Sequence, residues 1–320
     1  MDCTNKRNRI VYGDCSLGVY GGEKEFSYIF SYVAGGLESL VWQGKEWLYR
    51  VPRPTFWRAT TDNDRGNKFP LRSGMWLAAD QFIRCTNIKV FVDGQENCSF
   101  RGPDNNQYLG EEQYAKTVEI VYTYETVTQP ATTVEVSYLV ETTGVIKTKI
   151  HYFGKENLPE FPVLGMRFIM PTCAKRFRYE GLSGETYPDR KAGGVHGIYE
   201  VEGLPVTPYL VPQDCGMHMD TNWLEIIRNN SLNNSCDDNA DKSLRFNLNG
   251  LAFSCLPYTA SELENATHQE ELPIPRRTVL CIYGAVRGVG GIDSWGADVE
   301  EKYHISAEKD IEFSFSINFK

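Results

Sequence analysis

Histidine is scarce in this chain, with five in 320 residues. His151, His196, His218, His268 and His304 stand far apart, and neither C-x-x-C nor H-E-x-x-H occurs, which removes the common zinc signatures. Basic residues are outnumbered, 33 Lys and Arg against 42 Asp and Glu for a net charge of −9. They form no run of five or more, so the electrostatic footprint of a nucleic-acid binder is missing. Long apolar runs are missing too. The longest uncharged stretch, 246–261, contains Asn247, Asn249 and Pro257, whereas a spanning helix needs about 20 predominantly apolar residues. Residues 1–10 are polar and charged, and no hydrophobic segment of the signal-peptide kind follows them, so a cytoplasmic location is expected. The nine cysteines, at 3, 15, 85, 98, 173, 215, 236, 255 and 281, are odd in number and scattered. That fits reduced thiols better than a disulfide framework. Glycosylation-type triplets at Asn97, Asn229, Asn233 and Asn265 are then chance matches.

Helical patterning is equally thin. Trp76, Ala79, Phe82 and Ile83 share a helical face within 73–85, and 261–267 suits one short helical turn. Two such pieces cannot supply the eight helices of a (β/α)₈ barrel. What dominates is alternation with a period of two. Phe26, Tyr28, Phe30 and Tyr32 alternate with smaller or polar neighbours, as do Val118 to Tyr124, Val134 to Val140, Ile146 to Tyr152 and Ile311 to Phe319. Successive side chains of a strand point to opposite faces, so these segments each bury one face and wet the other. Gly21-Gly22, Gly35-Gly36, Asp93-Gly94, Asn249-Gly250 and Gly290-Gly291 are expected to supply positive φ angles for reversals. With 41% hydrophobic residues, no repeat and no linker, the expectation is one all-β antiparallel sandwich domain over 1–320. One or two short helices and long loops at 65–74, 189–214 and 229–242 complete it.

Several motifs fail. Asp237, Asn239 and Asp241 imitate the start of a calcium loop, but Lys242 and Leu248 occupy the positions that need Gly and Glu. Gly288-Val289-Gly290-Gly291 does not complete a dinucleotide fingerprint, and Gly181-Leu182-Ser183-Gly184 lacks the spacing of a nucleophile elbow. What remains are polar and aromatic clusters at 56–66 (FWRATTDNDRG), 185–191 (ETYPDRK) and 290–295 (GGIDSW). Carboxylates, amides or guanidinium groups beside an aromatic ring furnish a sugar site, since hydroxyls take hydrogen bonds and a pyranose C–H face lies on a ring. The residues also allow a structural reading. Asp and Asn bond their own backbone in loops, Asp189-Arg190 can be a plain ion pair, and Trp295 can be packing.

Together with PYLVPQDCG at 208–216, these clusters occur in the same order in the C-terminal domain of large bacterial β-galactosidases, and from about Val11 to Phe319 the chain resembles that domain. Its length and starting point are similar to the separately encoded small subunit of heterodimeric β-galactosidases from Gram-positive bacteria. The resemblance implies a large supersandwich like that of galactose mutarotases. It also implies that the two catalytic glutamates, with the magnesium and sodium sites, belong to a large partner subunit. That agrees with the absence here of a motif nominating two carboxyl groups about 5 to 5.5 Å apart, as a retaining glycosidase needs.

By the same resemblance Trp295 lines the pocket and stacks on the sugar. Gly66 and the residues after it correspond to a mobile loop at the pocket mouth, although Asn67 to Arg72 differs from the single-chain sequences, and Ile292 replaces an acidic residue of some relatives. Arg58, Asp62, Asn63 and Asp64, with Asp293 and Ser294, are expected either to touch substrate or to fix the loop. The expected function is completion of a β-galactosidase active site acting on terminal β-D-galactosides such as lactose. A non-catalytic carbohydrate-binding or structural module and a free-standing aldose epimerase are the alternatives, the latter requiring a His and a carboxylate that converge.

Overall fold

A computed structural model describes residues 7–21, 25–102, 113–229, 240–293 and 295–319. In chain order the first strands are β1 (Asn8–Tyr12), β2 (Ser16–Gly21), β3 (Phe26–Ser31), β4 (Gly36–Trp42), β5 (Lys45–Glu46) and β6 (Arg50–Thr55). A helical excursion follows, with α1 (Asp62–Gly66), α2 (Phe69–Ser73) and a 3₁₀ turn at Gly74–Trp76. Then come β7 (Arg84–Val92), β8 (Gln95–Glu96), β9 (Gln113–Ala115), β10 (Thr117–Glu125), β11 (Thr133–Glu141) and β12 (Ile146–Tyr152). They are followed by β13 (Val163–Met170), β14 (Arg176–Leu182), β15 (His196–Glu202), β16 (Met217–Arg228) and β17 (Lys242–Leu256). The chain closes with α3 (Ala260–Asn265), β18 (Thr278–Val286) and β19 (Ile311–Asn318). Among the described residues the strand pairs are antiparallel, in a six-stranded and a thirteen-stranded sheet.

The period-two reading holds where it is strictest. In β10 and β11 every second residue is buried, Val118 to Tyr124 and Val134 to Val140, while the residues between are partly wet. The buried faces meet the small sheet: Phe30 packs on Tyr138 at 5.8 Å between ring centroids, and Trp42 stacks on Phe319 at 4.0 Å. Burying each such side chain contributes about 1.5–3 kcal/mol, and one hydrophobic cluster runs through both sheets.

Four expectations need correcting. No helix spans 73–85: Ala78 takes a φ of 60°, and after the 3₁₀ turn Ile83 goes inward while Phe82 stays exposed. The segment 65–74 is largely helical rather than loop, and 189–214 contains β15. Asn249 and Gly250 do have positive φ, 53° and 92°, but they lie inside β17. There the strand changes partners, pairing β19 through Arg245–Asn247 and β18 through Ala252–Leu256. The local bend, matched by register shifts along β16, lets one strand serve two branches of the sheet. The loop expected at 229–242 falls mostly on 230–239, with Gly22, Asp237 and Asn239, outside the described residues. The short helix near 261–267 is present as α3, capped by Thr259 and Glu262.

Candidate functional site

The sheet topology brings the first and last sequence clusters together. β6 and β18 both pair with β13, and both end where β13 begins, with Thr55 opposite Gly165 and Val286 opposite Val163. The segments leaving β6 and β18, 56–66 and 287–299, therefore emerge side by side.

The first segment turns at once into α1. Thr61 is its N-cap: the hydroxyl accepts from the Asp64 N–H, and the Asp64 carboxylate accepts from the Thr61 N–H, closing a capping box. Asp64 also meets Arg58 at 2.6 Å and Arg287 at 3.3 Å, all three side chains being buried. Burial pushes the Asp64 carboxyl up, but the Arg58 guanidinium, the hydrogen bonds and Arg287 outweigh it and hold it below its ordinary value. Arg58 reaches further, donating to the Gly288 carbonyl at 3.1 Å.

The loop that carries Trp295 is fastened at both ends. At its start, Asp189 accepts from the backbone N–H groups of Val289 and Gly290 at 3.0 and 2.8 Å, Asn63 donates to the Val289 carbonyl at 2.9 Å, and Arg190 donates to the Gly290 carbonyl. At its end, Asp298 is held by Arg287, by Arg72 at 2.6 Å and by Asn67 at 3.1 Å. Between the two anchors Asp293 accepts from the N–H groups of Trp295 and Ala297 at 2.9 and 3.1 Å, an Asx turn that shapes the crest. Gly296, with φ of 86°, crosses Gly66 so closely that a Cβ there would lie 2.8 Å from the Gly66 carbonyl oxygen. The outcome is that Trp295 stands 93% exposed.

Arg287 is the hub beneath this loop. It is fully buried, touches Asp64, Glu160 and Asp298, and lies 4.3 Å over the Phe69 ring. Phe69 is itself buried in α2, so the segment after Gly66 is a short helix seated on the hub. Alongside lies the third cluster. Gln213 accepts from the Asp62 N–H at 2.8 Å, and Asp214 is buried against the Tyr187 hydroxyl at 2.9 Å. Desolvation, opposed by Arg58 and the Tyr187 bond, pushes the Asp214 carboxyl up to about 7.

The residues singled out from the sequence thus separate by position. Arg58 and Asp64 lie in the framework, with no surface to offer a ligand, and Asn63, Gly66 and Asp293 shape or hold the loop through the contacts above. Asp62 points outward, its side chain 75% exposed and paired with Arg65 at 3.0 Å. Ser294 lies outside the described residues. Sequence reasoning missed Arg287, Asp298, Gln213 and Glu264, the last of which accepts from the Thr60 N–H at 2.6 Å and steadies the approach to α1. Gln213 sat inside a quoted cluster and Asp298 three residues past Trp295. Arg287 and Glu264 carry no local signal. Among the described residues no group of three or more His, Cys, Asp and Glu is placed to hold a metal ion, the cysteines are free, and no helix is long and apolar enough to cross a membrane.

Fold and site together define an antiparallel all-β chain that raises one tryptophan on a doubly anchored loop. The family described as Beta galactosidase small chain matches residues 22–317. A "Beta-galactosidase small subunit" of Latilactobacillus sakei is 60% identical over 100% of both chains. This chain belongs to the β-galactosidase small chain family. It also aligns at 32% identity with a "Beta-galactosidase" of Halalkalibacterium halodurans and at 30% with "Beta-galactosidase BgaC" of Bifidobacterium adolescentis. There it covers 97% and 96% of itself but only 28% and 27% of those longer proteins. A galactose mutarotase-like protein from Lactobacillus casei aligns with 95% of this chain and 100% of its own, at a TM-score of 0.43 and 10% identity.

Proposed function

We propose that this chain is the small subunit of a heteromeric β-galactosidase, acting in the cytoplasm and completing the sugar pocket of a large catalytic subunit. In this reading the two catalytic glutamates and the magnesium and sodium ions belong to the large subunit, and the substrate is a terminal β-D-galactoside such as lactose. The contribution of this chain is an apolar platform. Trp295 receives the C–H face of the galactose ring while hydroxyls are met by polar groups, and the partner's acid and nucleophile act across the glycosidic bond. The observation that carries the reading is the near-complete exposure of Trp295 on a loop anchored by buried ion pairs, since a ring that served packing would be covered.

The test is an aryl-galactoside assay on the large subunit alone, on this chain alone and on the pair. Turnover is expected only from the pair; full activity of the large subunit by itself, or of this chain by itself, overturns the reading. In the pair, Trp295→Ala is expected to raise KM and lower kcat/KM by tenfold or more. Its stability should stay within about 0.5 kcal/mol, as for other exposed positions away from special features. Unchanged kinetics would leave the chain as a structural module. A free-standing epimerase would instead accelerate galactose mutarotation, which is expected to stay at the background rate. His218 does not suit that chemistry: packed among Phe177, Tyr179 and Phe253, it is driven down to about 4 by burial.

A further inference from the structure

The excursion between β6 and β7 has two faces. Phe69, Trp76, Ala79 and Ile83 are buried under it, whereas Leu71, Met75, Leu77 and Phe82 point into solvent, Leu71 at 83% and Phe82 at 66% exposed. This is unlike the outer surface of the sheet, where β10, β11 and β12 show Glu119, Glu135, Ser137, Lys147 and Lys149. At its near end the excursion is tied to the Trp295 loop through Asn67, Arg72 and Asp298, and to the loop carrying Leu210 through the Arg65 bond to the Pro212 carbonyl at 3.2 Å. Ile292, three residues before Trp295, and Leu210, two before Pro212, are also exposed. At its far end Phe82 borders a groove of about 710 Å³ whose lining turns charged, with Glu38, Arg50, Arg53, Asp80 and Arg167, so the apolar surface ends there. Exposed apolar side chains therefore form a band along 71–82, Leu71, Met75, Leu77 and Phe82, that starts at the segment tied to the Trp295 loop. Monomeric proteins rarely leave such an extended apolar surface bare.

We propose that this band is the surface on which the large subunit docks, an inference that rests on the two-subunit reading above. Two observations select that occupant. The band begins at the segment that Asn67 and Arg72 bind to Asp298 of the Trp295 loop, where a shared pocket requires the partner to approach. In the single-chain relatives this sequence is little more than a quarter of the protein, so most of such a molecule is available to cover it. A contact confined to Trp295 and its loop would also be far too small. Permanent interfaces bury about 1,000 Å² or more per partner and are rich in apolar residues, and the band adds four exposed apolar side chains beyond Trp295.

The test uses the co-expressed pair. Leu77→Glu and Phe82→Glu, distant in sequence from every residue placed at the sugar, are combined in one variant; Val11→Glu on β1 and Ile198→Glu on β15 form the comparison. The band variant is expected to weaken association at least tenfold, measured by sedimentation velocity and by loss of activity on dilution. At saturating large subunit it keeps kcat and KM, and the comparison variants associate as the wild type does. Wild-type association by the band variant overturns the proposal, as does equal weakening by Val11→Glu and Ile198→Glu. It is also overturned if Phe82→Glu abolishes a homodimer of this chain while leaving the two-subunit complex intact. Those results spare the two-subunit reading. Failure of the wild-type chains to form any active complex removes both.

Discussion

The two ends of this molecule are held by different forces. Around β10, β11, β12 and the small sheet, strands near one another in sequence bury alternating aliphatic and aromatic side chains, and the energy is that of packing. Around the Trp295 loop it is that of buried charge and directed hydrogen bonds between remote positions. Arg58 and Gly288 are 230 residues apart, Asn63 and Val289 226, Asn67 and Asp298 231. Packing tolerates a change of shape if volume is kept, but a buried charge that loses its partner keeps its desolvation cost. A forgiving scaffold thus carries an unforgiving presentation device, and the surface-exposed tryptophan depends on the second.

The largest expected effect comes from breaking the buried charges. Asp64→Ala leaves buried Arg58 without its carboxylate and takes one of three carboxylates from Arg287, and a loss of about 3–5 kcal/mol is expected in denaturant unfolding. Phe30→Ala in the sandwich should cost a similar amount, about 3–5 kcal/mol. The comparison is sharpened by activity per folded molecule in the assembled pair. Phe30→Ala is expected to retain it and Asp64→Ala to lose most of it; equal retention would mean that the loop stands without its network.

Next comes Asp214, where the sign can be worked out. Its folded value, about 7, lies above the ordinary 3.8, so the protonated carboxyl contributes stability that is fully present below about pH 4 and is lost as pH rises through 7. Asp214→Asn keeps an acceptor for the Tyr187 hydroxyl and never ionises. Its stability relative to wild type is expected to climb between pH 4 and 8, by up to about 4 kcal/mol. A flat difference across that range would show that Asp214 is solvated in the folded state.

A smaller effect is expected from Asp189→Ala, which frees one anchor of the loop while Asn63 and Arg190 remain. Loss of a carboxylate bonded to two backbone N–H groups should cost about 1.5–3 kcal/mol at most. The informative readout is kinetic: KM for an aryl galactoside rises severalfold in the pair, and Asp189→Asn recovers part of it. An unchanged KM would assign the start of the loop to Arg58, Asn63 and Arg190.

The contrast between the two ends also explains what could be read in advance. β10, β11, β12 and β19 were legible because a half-buried strand writes its geometry into every second residue. Their two-sheet arrangement followed from the need to cover the apolar faces. The clusters at 56–66 and 290–295 were legible as polar segments beside aromatics, but their convergence was not, because it depends on β6 and β18 both ending at the start of β13. Arg287 gave no sign of being a hub, since an arginine after a strand is ordinary until Asp64 and Asp298 are seen beside it. The expected helix over 73–85 failed for a related reason. Its apolar residues do not serve one buried face, since Trp76 and Ile83 go inward and Phe82 outward. A periodicity count cannot separate a core from a surface that something else covers.

The smallest effect tests whether the division between framework and surface runs through α1 itself. Asp62 is two residues from buried Asp64, yet its carboxylate is mostly in water and pairs with Arg65 across one helical turn. Such exposed pairs contribute about 0.2–1 kcal/mol, and an acidic residue in the first turn adds a few tenths through the helix dipole. Asp62→Ala should therefore leave unfolding within about 1 kcal/mol of wild type, with the loss shrinking in high salt as the pair is screened. In the assembled pair its kcat/KM should stay within twofold. A tenfold fall at unchanged stability would move Asp62 from the surface to the substrate, making it a polar contact beside Trp295 and extending the unforgiving region to the outer face of α1.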